Sequence, residues 1–162
     1  MIFFLSSALS RHKADETLWF TSRSRWVIKA LAQSVAVYPF KQSNMTWWFF
    51  FLSNKNEKCF LEVKNVTLKR KDKIAEFPDA ITTRGTKHLK ELVAAKNKGF
   101  KSCILYLIQR EDCEFFKIAK DIDEEYKIAF NNAVKKGIKI LCYNCSLNDE
   151  EIKLKNEIKY EQ

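Results

Sequence analysis

Glycine and proline are scarce in this sequence, with three Gly and two Pro among 162 residues. Their scarcity argues against long flexible linkers. No apolar stretch reaches the roughly 20 residues of a transmembrane helix, and the apolar residues 1–9 lack the basic residues that open a signal peptide. We therefore expect no membrane association, and one domain with an appendage.

Several kinds of reactive site are also missing. Only two histidines are present, His12 and His88, so a histidine-rich metal site is excluded, and we expect His88 to be a packed residue of a helix. The sequence has neither a glycine-rich phosphate loop nor the nucleophile elbow of a Ser-His-Asp hydrolase. Its five cysteines form no dense framework, which favours a reducing compartment and a cytoplasmic protein. Cys142 and Cys145 lack the second pair of a zinc site, so we expect both to be buried.

Positive charge is in excess and unevenly distributed. The net charge of +9 and the pI near 9.3 favour a polyanionic partner, nucleic acid before anionic membrane. Residues 1–56 hold seven Lys and Arg against two acids, together with all four Trp. Residues 57–162 hold 22 Lys and Arg against 18 acids, together with all five Cys. This break separates an atypical segment, residues 1–50, from a domain over residues 51–162.

The amino-terminal segment gives weak structural signals. Residues 26–37 are compatible with one helix, although the apolar residues spread around it. The apolar run 47–52 is compatible with a buried strand or with an aggregation-prone sequence. We assign no function to residues 1–46.

Two charged residues interrupt an apolar strand. Residues 60–68 are rich in β-branched and large apolar side chains, which predicts a strand. Glu62 and Lys64 lie two apart in it and therefore on the same face. Burying a charge is unfavourable unless it is paired or bound to a metal. The pair is therefore either a structural ion pair, or a metal-binding carboxylate beside a lysine that positions the attacking water.

From residue 57 onward, strands and helices alternate. The predicted order is a strand, a basic turn and extended segment, a helix capped by Thr82 or Thr83 and ended by Gly99, a strand, a helix ended by Gly137, a strand, and a polar helix or frayed tail. The basic turn covers residues 69–73 and the extended segment residues 74–78. The two helices cover residues 83–98 and 122–136, the strands that follow them cover residues 102–108 and 138–143, and the polar helix or tail covers residues 147–158. Such alternation predicts an α/β fold, a mixed central sheet flanked by helices.

Ligands of open α/β sheets bind at the carboxyl ends of strands. We therefore expect Glu62, Lys64, Gln109 and Arg110 to converge on one sheet edge. The amino end of the helix that starts near Thr83 is a second anion site. The basic side chains expected to contact phosphate on that helix and in the basic turn, rather than forming only a solvated face, are Arg84, Lys87, Lys69, Arg70, Lys71 and Lys73.

Five ordered motifs together resemble a known family. They are LEVKNVTL (61–68), FPDAITTRGTKHLKEL (77–92), QRED (109–112), DIDEEY (121–126) and KKGIKIL (135–141). Over residues 51–155 the chain looks like the carboxyl-terminal domain of the sugar fermentation stimulation protein (SfsA) family. The resemblance implies a nonspecific DNA-binding protein that regulates sugar (maltose) metabolism. It also implies a restriction-endonuclease-like, PD-(D/E)xK-like fold preceded by an OB-like barrel, which is not recognisable in residues 1–46.

The resemblance assigns roles to several residues and also shows a departure. Glu62 and Lys64 match the ExK half of the nuclease pattern, as the Mg²⁺ ligand and the water-positioning lysine. Phe49 stands where that pattern has its first aspartate, and Trp47 where it has an arginine. With one carboxylate left, Mg²⁺ is held too weakly for dependable hydrolysis. We expect a DNA-binding module that is catalytically weak or inactive, the alternative being a metal-dependent nuclease that uses Glu62, Lys64 and Asp79, a residue equally suited to a turn.

Overall fold

The computed structural model describes residues 35–42, 45–53, 58–147 and 152–161. The chain forms two compact units, Met1–Cys59 and Phe60–Gln162. In chain order the elements are β1 (Val35–Gln42), β2 (Met45–Ser53), β3 (Lys58–Val66), β4 (Leu68–Lys71), β5 (Lys73–Phe77), α1 (Thr83–Asn97), β6 (Lys101–Ile108), β7 (Cys113–Ile118), α2 (Glu124–Lys135), β8 (Lys139–Leu147), β9 (Ile152–Glu157) and β10 (Lys159–Tyr160). Neither α1 nor α2 has the length and apolar content that crossing a membrane requires.

In the first unit, β1 and β2 pair antiparallel, with Val35 opposite Leu52 and Gln42 opposite Met45. The strand predicted over residues 47–52 is confirmed as part of β2. The helix over residues 26–37 is wrong at its carboxyl end, because residues 35–37 begin β1, where valines alternate with a smaller residue. The rest of that predicted helix lies outside the described residues.

The central sheet of the second unit has the order β3, β6, β8, β9. Strand β6 runs parallel to β8, with Cys103 opposite Lys139, and β9 is antiparallel to β8. The Gln109 N–H donates to the Val66 carbonyl at 3.0 Å, which places the end of β6 beside the end of β3. The mixed sheet flanked by helices that the sequence predicts is therefore present.

A second sheet has the order β10, β7, β5, β4. The basic turn predicted over residues 69–73 is wrong in part, because Leu68–Lys71 forms β4 and only Asp72 is a turn residue. Lys73, with φ of 59°, begins β5. The extended segment that follows is confirmed as β5. Strand β7 runs parallel to β5 and is absent from the sequence prediction.

Both helix starts depend on one carboxylate. The Gly85 N–H donates to the Thr82 hydroxyl at 3.1 Å, which caps α1, and Tyr126 N–H donates to Asp123 at 2.9 Å, which caps α2. Asp123 also accepts from the Thr82 N–H at 2.8 Å. The Thr82 side chain can approach the first turn of α1 this closely because residue 85 is a glycine, since a Cβ there would lie 2.8 Å from the Thr82 hydroxyl oxygen. The Asp123 side chain therefore fixes the start of α1 relative to α2.

The glycines predicted to end the helices do follow α1 and α2. Gly99 and Gly137 have φ of 89° and 75°, the left-handed region that glycine tolerates. The polar helix or frayed tail predicted over residues 147–158 is wrong, because residues 152–157 form β9. Pairing with β8 outweighs helical propensity there, and the Asn156 N–H donates to the Asn144 side chain at 2.8 Å. Residues 148–151 lie outside the described part.

The core joins both sheets to α2 through aromatic side chains. Tyr106 of β6 is buried, and its ring centroid lies 4.4 Å from that of Phe116 on β7. Its hydroxyl is 2.6 Å from that of Tyr126 on α2, so each of the two buried hydroxyls has a partner. This packing holds the second unit together.

Candidate functional site

Glu62, Lys64 and His88 form one buried cluster between β3 and α1. Lys64 Nζ lies 2.7 Å from Glu62 Oε1, and His88 Nδ1 lies 2.6 Å from the same oxygen. Glu62 and His88 are buried, and the Lys64 side chain is 13% exposed. The shared face predicted for Glu62 and Lys64 is therefore present, and its third member comes from the helix.

The hydrogen bonds indicate which tautomer of His88 is present. A carboxylate oxygen only accepts, so Nδ1 of His88 carries the proton in its bond to Glu62. Nε2 then accepts from Arg84 Nε, which lies 3.4 Å away. Lys64 Nζ and Nδ1 are 3.3 Å apart because both donate to Oε1. Arg84, His88 and Lys64 together fix the orientation of the Glu62 carboxylate.

A second carboxylate, Glu91, lies almost one turn beyond His88 on α1. Its side chain is 7% exposed, and the cation in reach is Lys87 Nζ at 3.9 Å, beyond hydrogen-bond distance. Burial raises the pKa of the Glu91 carboxyl to about 7, with Lys87 opposing the rise and the charge of Glu62 adding to it. The two carboxylates are therefore close enough to interact electrostatically.

Sequence reasoning missed the polar roles of His88 and Glu91. His88 is buried as predicted, but it packs against a carboxylate rather than hydrocarbon. The available signal was the spacing of Arg84, His88 and Glu91, which places three polar groups along one side of a helix that must also bury Leu89 and Leu92. That spacing does not identify the strand that the helix faces.

The donors available to a metal ion in this cluster are carboxylate oxygens. Glu62 Oε1 already accepts two hydrogen bonds, whereas Oε2 accepts none from the described residues. Across residues 58–147 and 152–161, no three His, Cys, Asp or Glu side chains are grouped as metal ligands. Two carboxylates suit Mg²⁺, which keeps several water ligands in proteins. The role of Glu62 as a metal ligand stays a prediction.

Among the described residues, the cluster forms no hydrogen bond or ion pair with Asp79, Gln109 or Arg110, the other residues predicted for this site. Asp79 is exposed in the loop between β5 and α1 and makes no hydrogen bond or ion pair with the described residues. Arg110 reaches the Thr67 carbonyl at 3.4 Å, and the Gln109 N–H is bonded to Val66. The end of β6 thus meets the end of β3, while Glu62 and Lys64 face α1.

Most basic candidates of β4 and β5 are paired with carboxylates. Nζ of Lys69 lies 2.8 Å from an oxygen of Asp112, which Arg110 also contacts at 2.9 Å, and these cations hold the pKa of Asp112 well below its usual range. Lys73 Nζ lies 2.8 Å from Glu114. Lys71 is exposed and forms no ion pair with the described residues. Phosphate would have to compete with protein carboxylates at each of the paired cations.

Arg70 is committed to a buried acid. Glu76 on β5 is 1% exposed, and its two oxygens receive Arg70 Nε at 2.6 Å and Nη2 at 3.1 Å, with Lys117 Nζ at 3.5 Å. The hydrogen bonds from Arg70 lower the pKa of Glu76 despite its burial. Arg70 also bonds Asp121 and lowers the pKa of that carboxyl to about 2. Its guanidinium is therefore a structural element of this sheet.

The exposed face of α1 carries cations without acids. Arg84, Lys87 and Lys90 are exposed, whereas the one acid of the helix, Glu91, is buried. We call these three cations the α1 ridge. They differ from the paired cations of β4 and β5, because Lys87 has only the long 3.9 Å contact with an acid and Arg84 bonds a ring nitrogen of His88 rather than a carboxylate.

Comparison with known proteins gives a consistent result. The family model described as sugar fermentation stimulation protein RE domain matches residues 24–151. A sugar fermentation stimulation protein homolog of Pelagibacter ubique is 55% identical over 112 residues, which are 68% of this chain and 48% of the homolog. A homolog of Paramagnetospirillum magneticum is 50% identical over 97 residues, 60% of this chain and 41% of that protein. The chain thus spans about half the length of the curated relatives it matches.

A solved structure shares the fold. It is that of Pyrococcus furiosus SfsA in complex with Ca²⁺, and it superposes with a TM-score of 0.74 at 20% identity over 86% of this chain and 60% of that chain. This likeness confirms the predicted restriction-endonuclease-like α/β fold. Because the family model covers most of the chain, from before β1 to beyond β8, the protein belongs to the sugar fermentation stimulation protein (SfsA) family.

Proposed function

We propose that this chain is a nonspecific DNA-binding module whose α1 ridge contacts the phosphate backbone. The observation that carries the proposal is the exposure of Arg84, Lys87 and Lys90 on a helix whose one acid is buried. Cations that are not neutralised by neighbouring carboxylates release counterions when they contact phosphate, and that release drives binding. The net charge of +9 adds long-range attraction for a polyanion.

The spacing of the ridge suits a nucleic-acid strand. Residues three and six apart lie on one side of a helix, and six residues span about 9 Å of its axis. Successive phosphates of one strand rise by about 3.4 Å, so the ridge reaches two or three of them. Phosphate contacts position a protein but carry no sequence information. In this proposal, the regulation of sugar (maltose) metabolism that the family implies is exercised in the cytoplasm by DNA contact.

Metal-dependent nuclease activity is the second candidate function. It is favoured by the Glu62–Lys64 pair at 2.7 Å, which matches the ExK half of the nuclease pattern, and by the Ca²⁺ with which the Pyrococcus protein was solved. Phe49 in place of the first aspartate weighs against it. Plasmid nicking in Mg²⁺ or Mn²⁺ that is abolished by Lys64→Ala would establish the nuclease, whereas binding without nicking supports the module.

We expect the triple variant Arg84→Gln, Lys87→Gln, Lys90→Gln to bind a random 20-base-pair duplex about tenfold more weakly at 0.1 M salt. The slope of log K against log salt concentration should fall by about 2 to 3, since each lost phosphate contact removes about 0.9. Fluorescence anisotropy over a salt series measures both quantities.

The matched control is Lys120→Gln, Lys135→Gln, Lys136→Gln, which removes the same charge from exposed positions in and beside α2. We expect it to keep most of the affinity and the wild-type slope. Equal losses in the two triple variants would show that net charge, and not the α1 ridge, determines binding.

A further inference from the structure

The sheet formed by β10, β7, β5 and β4 has one face that points away from the core. Phe116 of β7 packs on the buried Tyr106, with ring centroids 4.4 Å apart. Because successive side chains of a strand point to opposite faces, Phe115 points away from the core, and it is 48% exposed. Ile74 lies opposite Phe115 on β5 and is half-buried. This outer face therefore presents an apolar patch to solvent.

The strand register places a lysine at each end of this patch. Lys159 of β10 lies opposite Phe115, and Lys71 of β4 lies opposite Ile74. Both lysines are exposed, and neither forms an ion pair with the described residues. Three strand spacings separate them, which is about 14 Å. We call this row across the four strands, Lys71, Ile74, Phe115 and Lys159, the β platform.

The carboxylates of β5, of β7 and of the turn before β5 already have cation partners. Glu114 pairs with Lys73 at 2.8 Å, Glu76 with Arg70 at 2.6 Å and Asp72 with Lys69 at 3.4 Å. The two lysines of the β platform thus keep their charge available to an incoming anion. A single exposed aromatic side chain is ordinary on a protein surface. An aromatic ring in line with two available cations instead fits a partner that has both flat rings and negative charge.

We propose that the β platform binds single-stranded DNA, with a base stacked on Phe115 and backbone phosphates on Lys71 and Lys159. Proteins that hold single strands combine cations that follow the backbone with aromatic side chains on which bases stack. Four-stranded sheets with exposed aromatic side chains stack bases in this way in RNA-binding modules. A duplex does not fit the platform, because its bases are already stacked on one another. The inference therefore goes beyond duplex contact by the α1 ridge and does not rest on it.

The experiment is a fluorescence anisotropy titration of the full chain with a labelled oligonucleotide of about ten thymidines, a length within the site sizes of single-strand-binding proteins. Phe115→Leu keeps an apolar side chain but removes the aromatic face, and it should bind about tenfold more weakly, the loss expected for one stacked base. Phe115→Trp should bind at least as tightly as wild type. The matched control is Ile128→Ala, which alters an exposed apolar residue of α2 and should bind as wild type does.

The two lysines are tested by salt dependence. The double variant Lys71→Gln, Lys159→Gln should lower the slope of log K against log salt concentration by about 1.4, since each phosphate contact of a single strand contributes about 0.7. An unchanged slope would contradict phosphate contact at the β platform.

Photochemical cross-linking gives a readout that net charge does not alter. An oligonucleotide that contains 5-iododeoxyuridine becomes linked, on irradiation, to an aromatic side chain that stacks on the iodinated base, and mass spectrometry should identify Phe115 as the linked residue. Circular dichroism verifies that Phe115→Leu is folded. Wild-type affinity for the single strand in that folded variant, or cross-links that do not involve Phe115, would overturn the proposal.

The β platform and the α1 ridge can fail independently. Phe115→Leu should keep the wild-type affinity for the duplex, whereas the triple variant of the α1 ridge should keep the cross-link to Phe115. Equal losses of single-strand and duplex affinity in Phe115→Leu would show that the side chain has no specific role in stacking a base.

Discussion

Arg70→Met is expected to lower the free energy of unfolding by about 3 kcal/mol at pH 7. The substitution leaves the Glu76 carboxylate 1% exposed with only Lys117 at 3.5 Å for compensation. Removing one partner of a buried ion pair costs more than the pair contributes, because the other charge remains desolvated. Urea unfolding at pH 7, followed by circular dichroism, measures the change.

The pH dependence identifies Glu76 as the cause. Its pKa is lowered in the folded protein, so the pair stabilises the protein above the ordinary glutamate pKa and loses that contribution as the pH falls through the folded value. The difference between wild type and Arg70→Met should therefore shrink below about pH 4. Arg110→Met, which breaks an exposed pair with Asp112, should cost less than about 1 kcal/mol. Similar losses in both variants would refute a special role for Arg70.

Glu91→Gln is expected to act in the opposite direction and to stabilise the metal-free protein by about 2 kcal/mol at pH 8. Burial raises the pKa of Glu91 to about 7, so the folded state binds more protons than the unfolded state between the ordinary value and 7. Stability then falls as the pH rises through that window and stays low above it. Each pKa unit corresponds to about 1.4 kcal/mol, which solvent screening reduces.

Urea unfolding of wild type and Glu91→Gln in EDTA at pH 4 and pH 8 checks this expectation. At pH 4 the Glu91 carboxyl is protonated and the two proteins should differ little, whereas at pH 8 the variant should be the more stable. Glu125→Gln, which alters an exposed acid, serves as the control and should change little at either pH. A Glu91→Gln variant less stable than wild type at pH 8 would mean that the ionised carboxylate has a partner of its own.

The sequence predicts what depends on local spacing. Glu62 and Lys64 share a face because strand side chains alternate, and the structure places them 2.7 Å apart. Gly99 and Gly137 mark the ends of two helices because both positions need a positive φ. The central strand β6 is apolar along its length because it is covered on both faces, which a continuous apolar run predicts.

What the sequence does not predict depends on pairing at long range. Strand β7 buries Cys113, Phe116 and Ile118 without a strict alternation, since both Glu114 and the exposed Phe115 lie between the first two. Its neighbour β5 lies about 40 residues earlier in the chain. Residues 152–157 carry lysines that favour a helix until β8 supplies hydrogen bonds. The partner of His88 is 26 residues away on a strand, and no local pattern indicates which strand the helix covers.

The five free cysteines give the fold a built-in reporter. All of them are buried, namely Cys59, Cys103, Cys113, Cys142 and Cys145. Burial also raises the pKa of the Cys145 thiol to about 11, and the thiolate is the form that alkylating reagents attack. A maleimide pulse at neutral pH therefore modifies only molecules in which a cysteine is transiently exposed by local unfolding. Mass spectrometry of the tagged peptides would show which strands unfold locally most often.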